Sequence, residues 1–341
     1  MAISSAGVGS GLNVQSIVSQ LVAVESQPVK LMQAKGSTLQ TKMSAFGQIK
    51  AELAALQDAA NALIGASMWN SKTLTSSNTA AVTGTATTDA LASTFSINVG
   101  TLAKGQSVYS NSVTTGFPIA AAGTFTITSS NGNTQTVTLV GGETLDGFAA
   151  KVNATTTANG VSASVVTNSL GEKQLMFRSS SIGANAAFQI ATTSADLQQF
   201  AYAGTDTATM KRGSTASDAT ANIDGINVSG ANNTLGSSLP GVTLNLLQGS
   251  TTAQVTIAVD KDAIKAKIQA FQDAYNKLYA DLKTQTAYNA ATKTGGPLLG
   301  DNTATSMQSM LRTLVGGSGP ASSTIKRLSD LGLEIQSDGS L

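Results

Sequence analysis

The sequence predicts an α+β multidomain protein in which N- and C-terminal helices form a coiled-coil stalk and two small β-rich domains are inserted between them. Two observations support this fold class. The composition changes from Gln/Ala/Leu/Lys-rich at the N-terminus to Thr/Ser/Gly/Asn-rich in the middle and back again. Both flanks also carry apolar residues at a period of 3.5, whereas the middle alternates apolar and polar residues, as strands do.

Composition excludes many activities before any motif is considered. The 341 residues include 20 Lys plus Arg and 19 Asp plus Glu, which gives a net charge of +1. This balance gives no electrostatic argument for binding nucleic acid or an anionic membrane. The sequence has no Cys and no His, which removes thiol chemistry, disulfides, ordinary zinc sites and the commonest general base. No apolar stretch is long enough to span a bilayer, so we expect no membrane insertion.

Residues 1–34 are predicted to form a flexible docking segment. A helix is expected over Asn13–Ser26, and Pro28 suits the first turn of a second helix because its missing N–H is not needed there. An isolated helix of this length is marginal in water. We therefore expect its apolar face to dock onto a neighbouring molecule or onto a C-terminal helix that this sequence lacks; the alternative is that it folds back onto its own stalk. The docking face comprises Val14, Ile17, Val18 and Leu21.

Residues 35–66 and 260–341 are predicted to form the stalk. Each flank has apolar residues at alternating spacings of three and four, a narrow seam that is buried only against another seam. We expect 39–64 to pair with 262–285, although packing of each helix on a sheet remains an alternative. The pairing residues are Phe46, Ile49, Leu53, Leu56 and Leu63 in the first flank and Ile264, Ile268, Phe271, Tyr275, Leu278 and Leu282 in the second.

The middle block is predicted to hold an inner β domain, 67–105 plus 215–259, and an outer variable β-rich domain, 106–214. A hairpin is expected around Asn131-Gly132, because Asn-Gly accepts the positive φ of tight turns. One helix should interrupt the strands over Leu145–Asn153, with Thr144 as its N-cap. In the second flank, Asp301 is expected to cap a helix over Asn302–Val315.

No catalytic, cofactor or metal site is predicted. Gly7–Gly11 superficially suggests a phosphate loop, but no strand precedes it and no Gly-Lys-Ser/Thr follows. Asp260 and Asp262 could form a carboxylate pair, yet at the start of a helix they more simply oppose the helix dipole. We therefore predict a non-enzymatic protein without cofactors.

Several short motifs resemble, in order along the chain, those of the bacterial flagellar cap protein family, also called flagellar hook-associated protein 2. Individually these motifs are weak, and together they are specific. The middle of the chain, 106–214, matches least. The motifs are Ile3–Asn13 with Ser16–Leu21, Phe46–Lys50, Phe95–Val99 with Leu102–Gln106, Ile223–Ile226 with Leu239–Leu244, Phe271–Leu278, Gly296–Asp301, and Leu328–Gly332.

The resemblance implies an extracellular homo-oligomeric cap, a pentamer in the best-known form, at the growing filament tip. Its implied partners are other copies of itself, flagellin, hook–filament junction proteins and an export chaperone before secretion. It also implies export by the flagellar type III route, which agrees with the missing secretory signal over Met1–Leu21. Family members continue beyond the turn at Ser337–Ser340 with a return strand and further helices, so we expect the chain to be a fragment.

Two other functional classes remain open at this stage. A β-rich surface adhesin on a helical stalk would share the Thr/Gly-rich domains, but adhesins usually string domains in series, without paired ends. Another axial flagellar component, such as flagellin or a junction protein, would share the paired terminal helices. It would lack the Leu239–Leu244 and Gly296–Asp301 motifs.

Overall fold

The computed structural model describes residues 13–113, 119–156, 160–317 and 327–341. The glycine-rich Gly7–Gly11 and most of the Ile3–Asn13 motif lie outside these ranges. The chain divides into two compact units, a helical unit of Met1–Trp69 with Lys261–Leu341 and a β unit of Asn70–Asp260. None of the helices in the described ranges combines the length and apolar character needed to cross a membrane.

The described ranges contain six α-helices. Four are long, and α3 is a single turn that extends the helical unit to Trp69, beyond the predicted start of β structure at 67. Their bounds are α1 Val14–Glu25, α2 Gln27–Ile64, α3 Ala66–Trp69, α4 Leu145–Ala154, α5 Lys261–Thr286 and α6 Asn302–Gly316.

Seventeen strands are present in the same ranges, all but the last two in the β unit. They are β1 Lys72–Ser76, β2 Val82–Ala86, β3 Ser93–Val99, β4 Ser107–Ser110, β5 Gly123–Ser129, β6 Thr134–Leu139, β7 Val161–Thr167, β8 Lys173–Ser179, β9 Phe188–Thr192, β10 Met210–Ser214, β11 Ala219–Ile223, β12 Ile226–Gly230, β13 Thr234–Leu239, β14 Val242–Leu246, β15 Thr251–Val259, β16 Tyr288–Asn289 and β17 Thr294–Gly295.

The helix ends form where polar side chains satisfy free backbone N–H groups. The Asn13 side chain accepts a hydrogen bond from the Ser16 N–H (3.0 Å), and Pro28 lies in the first turn of α2. The Asp301 carboxylate accepts from Thr303 and from Ala304 at the start of α6. These three predicted helix starts are confirmed.

The β unit contains two separate hydrophobic cores. The first lies between a five-stranded sheet of order β1-β15-β3-β11-β12 and a three-stranded sheet of order β13-β14-β2. Every pairing in both sheets is antiparallel. Alternate side chains of β14 and β15 are buried, as expected when one face of a sheet covers a core. The strands of this core come from both sides of 106–214 in the sequence.

The second core lies among a four-stranded sheet of order β10-β4-β8-β7, a three-stranded sheet of order β6-β5-β9 and helix α4. The predicted hairpin is confirmed, since β5 and β6 pair around Gly132, which has φ +88°. Thr144 caps α4 through the Gly147 N–H, also as predicted. Three of the six aromatic residues in this core pack together: Phe125 lies 4.8 Å from Phe148 and 5.5 Å from Phe177 between ring centroids.

A short ion pair closes the edge of the second core. The ammonium of Lys151 donates to Oε1 of Glu143 at 2.6 Å, and the Val140 N–H donates to the same oxygen at 3.1 Å. These two hydrogen bonds favour the ionised carboxyl and lower the pKa of Glu143 to about 2.

We expect Phe177→Ala to lower the free energy of unfolding of the β unit by about 3–5 kcal/mol, because it leaves a cavity between two aromatic partners. Urea denaturation measures this loss. Leu170, which is 81% exposed in the turn between β7 and β8, provides the matched control. Leu170→Ala should change stability by less than about 0.5 kcal/mol, and equal losses in both variants would contradict the assigned core.

We expect the Glu143–Lys151 pair to stabilise the protein only while Glu143 is ionised. A carboxyl whose pKa is lowered on folding contributes its full stability above its usual value near 4.3, and loses that contribution as the pH falls toward about 2. Glu143→Gln and Lys151→Met should therefore each flatten the decline of thermal stability over that pH interval. An unchanged decline in both variants would show that the pair has no such role.

Candidate functional site

The core of the helical unit is built from both ends of the sequence. Helix α2 contributes Ala45, Ile49 and Leu56, and α5 contributes Tyr275, Leu278 and Leu282. The turn before α6, helix α6 itself and the C-terminal tail add further buried side chains, namely Leu298, Ala304, Leu311, Val315, Leu333 and Leu341. The two flanks therefore fold as one body, although about 200 residues separate α2 from α5.

The predicted pairing residues divide into three groups by environment. Five are buried in this core: Ile49, Leu56, Tyr275, Leu278 and Leu282. Phe46, Ile268 and Phe271 are partly buried against it, and Leu63 and Ile264 are half-buried. Leu53 is 41% exposed and is the exception.

The prediction that Leu53 faces α5 is wrong. The buried positions of α2 are Ala45, Ile49, Glu52 and Leu56, so the seam passes through 52 and not 53. In a helix, positions three and four after Ile49 point in directions about 100° apart, and only one of them faces the partner. Sequence reasoning chose the leucine because it is apolar, whereas the structure buries the glutamate beside it.

Leu53 instead belongs to a second apolar seam on α2. Val29, Met32, Leu39, Met43 and Leu53 all lie at heptad-like spacings and are all exposed, by 41–74% of their surface. Exposed apolar surface of this extent is typical of an interaction site. Helix α2 thus presents two seams, one buried against α5 and one open.

The four predicted docking residues are also exposed. Helix α1 has no buried residue, and Val14, Ile17, Val18 and Leu21 are exposed by 39%, 42%, 53% and 60%. Helix α1 therefore adds a second exposed apolar face to that of α2.

The C-terminal tail binds the side of α5. The Leu341 N–H donates to Oδ1 of Asn276 (2.7 Å), and the Leu341 carbonyl accepts from Gln272 (2.7 Å). Gly339, with φ +93°, lies so close to the Tyr279 ring that a Cβ would overlap it. Burial raises the pKa of Tyr275, whose hydroxyl donates to the Gly339 carbonyl (3.2 Å). Only the turn within this tail was visible to sequence reasoning.

Two polar residues missed by sequence reasoning lie at the edge of the α2–α5 contact. Glu52 is 6% exposed, and its Oε1 lies 3.8 Å from the Nζ of Lys277. The sequence did carry a signal for Glu52, because positions 52 and 53 both fit the heptad spacing after Ile49. In the described part of the chain, no group of three His, Cys, Asp or Glu side chains could hold a metal ion.

Family models of flagellar proteins match most of the chain. The model described as flagellar hook-associated protein 2 N-terminus matches residues 10–106, and its C-terminus counterpart matches 216–341. Between them, the flagellin hook IN motif matches residues 124–181.

Similar proteins cover nearly the whole chain. It is 28% identical to the A-type flagellar hook-associated protein 2 of Pseudomonas aeruginosa and 29% identical to flagellar hook-associated protein 2 of Escherichia coli K12. These alignments cover 98% and 99% of this chain and 75% of each relative. The crystal structure of the D1-D2-D3 domains of the flagellar cap protein from Escherichia coli is similar with a TM-score of 0.69 and 28% identity, covering 87% of this chain and 83% of that one.

The two flanks of the sequence form one helical unit, and the β unit is inserted between them. This architecture, together with the flagellar family matches in order along the chain, defines a protein of the flagellar filament. The chain belongs to the flagellar hook-associated protein 2 family, whose members are filament cap proteins. This supports the cap over an adhesin or another axial component.

We expect Ile49→Asp to destabilise the helical unit by about 3–5 kcal/mol, because it places a carboxylate in an apolar contact. Leu53→Asp changes an exposed residue one turn away and should cost less than about 1 kcal/mol. Thermal unfolding followed by helical circular dichroism compares the two. Equal losses would contradict the assignment of the buried seam to position 49 and of the open seam to position 53.

Proposed function

We propose that this chain caps the distal end of the bacterial flagellar filament as a homo-oligomeric ring, most simply a pentamer, outside the cell. In this position it promotes the folding and insertion of exported flagellin subunits beneath it. The observation that carries the proposal is that the two family models match residues 10–106 and 216–341, and that the helical flanks within these ranges share one core. The action is structural and not catalytic, and involves neither a cofactor nor nucleic acid.

The proposed division of labour follows the separate cores. The flanks 35–66 and 260–341 act as the coiled-coil stalk, 67–105 plus 215–259 act as an inner β domain, and 106–214 acts as a variable outer domain. Supporting this division, one β core draws its residues from Ala81–Ala103 and Ala219–Ile257, and the other from Val108–Met210.

The N-terminal docking role is proposed for the exposed face of α1. Four apolar side chains without burial in the chain supply contact area for flagellin or the hook–filament junction proteins. We further propose that an export chaperone covers such surface before secretion through the flagellar type III route, because exposed apolar helices favour aggregation.

The test is complementation of a strain that lacks its cap gene. We expect the wild-type chain to restore filaments with capped tips in electron images, and Ile17→Asp with Leu21→Asp to abolish capping without loss of thermal stability. Ala23→Asp, on the opposite face of α1, is the matched control and should cap normally. Wild-type filament growth without a visible tip structure would reject the cap, and normal capping by the double variant would reject the docking face alone.

A further inference from the structure

A groove runs along the α2–α5 pair, on the opposite side of the buried seam from Leu53. It has a volume of about 330 Å³ and is lined by Gln48, Ala51, Glu52 and Ala55 of α2 and by Ala274 and Lys277 of α5. Three of the six lining side chains are alanines, and such small side chains allow a third helix to approach closely in the manner of ridges and grooves.

Glu52 lines this groove and lacks a full set of partners. It is 94% buried; its Oε1 accepts a long hydrogen bond from Nε2 of Gln48 (3.4 Å) and lies 3.8 Å from Nζ of Lys277. Its Oε2 has no hydrogen-bond partner among the described residues. A buried carboxylate oxygen without a donor is costly. The Nζ of Lys277, whose side chain is 73% exposed, lies 3.8 Å from the other oxygen, beyond hydrogen-bond distance. Oε2 is therefore free to accept from a further donor, and a cationic donor would make the stronger, charge-assisted hydrogen bond.

The first half of α2 carries such donors on an open apolar surface. Between Glu25 and Glu52 the sequence has four lysines and no acidic residue. Lys35 lies between Met32 and Leu39 on one helical face, at spacings of three and four residues, and all three side chains are exposed. This segment therefore has the charge and the apolar flanks that complement the groove.

Lys35 cannot reach the Glu52 of its own chain. Both residues belong to the continuous helix α2, and 17 residues at 1.5 Å each separate them by roughly 25 Å. A donor to Oε2 must therefore come from outside the described residues of this chain, and a second copy supplies one in Lys35.

We propose that Gln27–Met43 of a second copy docks in the Glu52 groove, with the Lys35 ammonium donating to Oε2. The inference rests on the proposed self-assembly and names its contact. The Glu52 groove and the Gln27–Met43 segment are different parts of the surface of one copy. Each copy therefore binds one neighbour through its groove and a second neighbour through its Gln27–Met43 segment. Heterologous contacts of this kind close into a ring when the rotation between neighbouring copies divides a full turn.

Sedimentation equilibrium of the full chain tests the charge pairing. Lys35→Glu and Glu52→Gln should each weaken self-association by roughly tenfold or more, as expected for loss of a desolvated charge pair. Lys30→Glu makes the same charge change on the opposite face of the segment, and should associate as the wild type does. Thermal unfolding verifies that each variant is folded.

Cysteine cross-linking tests the geometry without altering Glu52, because the chain has no cysteine of its own. Ala55→Cys protein mixed with Leu39→Cys protein should form a cross-linked dimer, whereas Ala55→Cys mixed with Lys30→Cys should not.

Three outcomes would overturn the proposal, and they are distinguishable. A wild-type chain that stays monomeric at every concentration rejects self-assembly itself. Assembly that is insensitive to Lys35→Glu and gives no Ala55–Leu39 cross-link retains self-assembly and rejects this contact. Protection of Ala55→Cys from a thiol reagent only when flagellin is added assigns the groove to flagellin.

Discussion

The packing of α2 against α5 is the constraint on which the helical unit depends. All buried residues of α2 lie between Ala45 and Leu56, where α5 covers them. The partner helix lies beyond the whole β unit in the sequence, so this core forms only after the two flanks meet. Contacts of such long sequence separation require closure of a large loop, which slows folding and makes it dependent on the inserted unit.

The β unit solves a different problem, that of building cores from a chain rich in small polar residues. It does so with two small cores in place of one large core. In one of them five phenylalanines, a tyrosine and several aliphatic residues concentrate the apolar area, with α4 completing the layer. In the other, two antiparallel sheets face each other, and valine, isoleucine, leucine and alanine form the core without a buried aromatic ring among its described residues. Threonine and serine then occupy the outward positions, where β-branched and polar side chains suit a half-exposed strand.

Local chemistry made much of this fold predictable from the sequence. The caps at Thr144 and Asp301, the helix start near Asn13 and the hairpin at Gly132 depend on neighbours within a few residues, and each forms as expected. The α5 seam was readable because no polar residue competes at its apolar positions. The α2 seam could not be predicted fully, because either Glu52 or Leu53 could face the partner helix. Which of the two is buried depends on how α5 packs against α2. The β16–β17 hairpin and the tail on α5 were missed because both depend on contacts with distant residues or on segments too short to show a period.

Helix α2 is supported along only part of its length, and this has a thermodynamic consequence. Its 38 residues extend for roughly 57 Å, and burial is confined to one stretch in its second half. Because stability within a protein varies with local packing, the free energy for opening backbone hydrogen bonds must rise steeply along this one helix. Residues before Ala45 exchange their amide hydrogens through local fraying, whereas those from Ala45 to Leu56 exchange only when the core opens. The part of α2 before Ala45 can therefore change its contacts at small energetic cost, whereas the part from Ala45 to Leu56 stays fixed in the core.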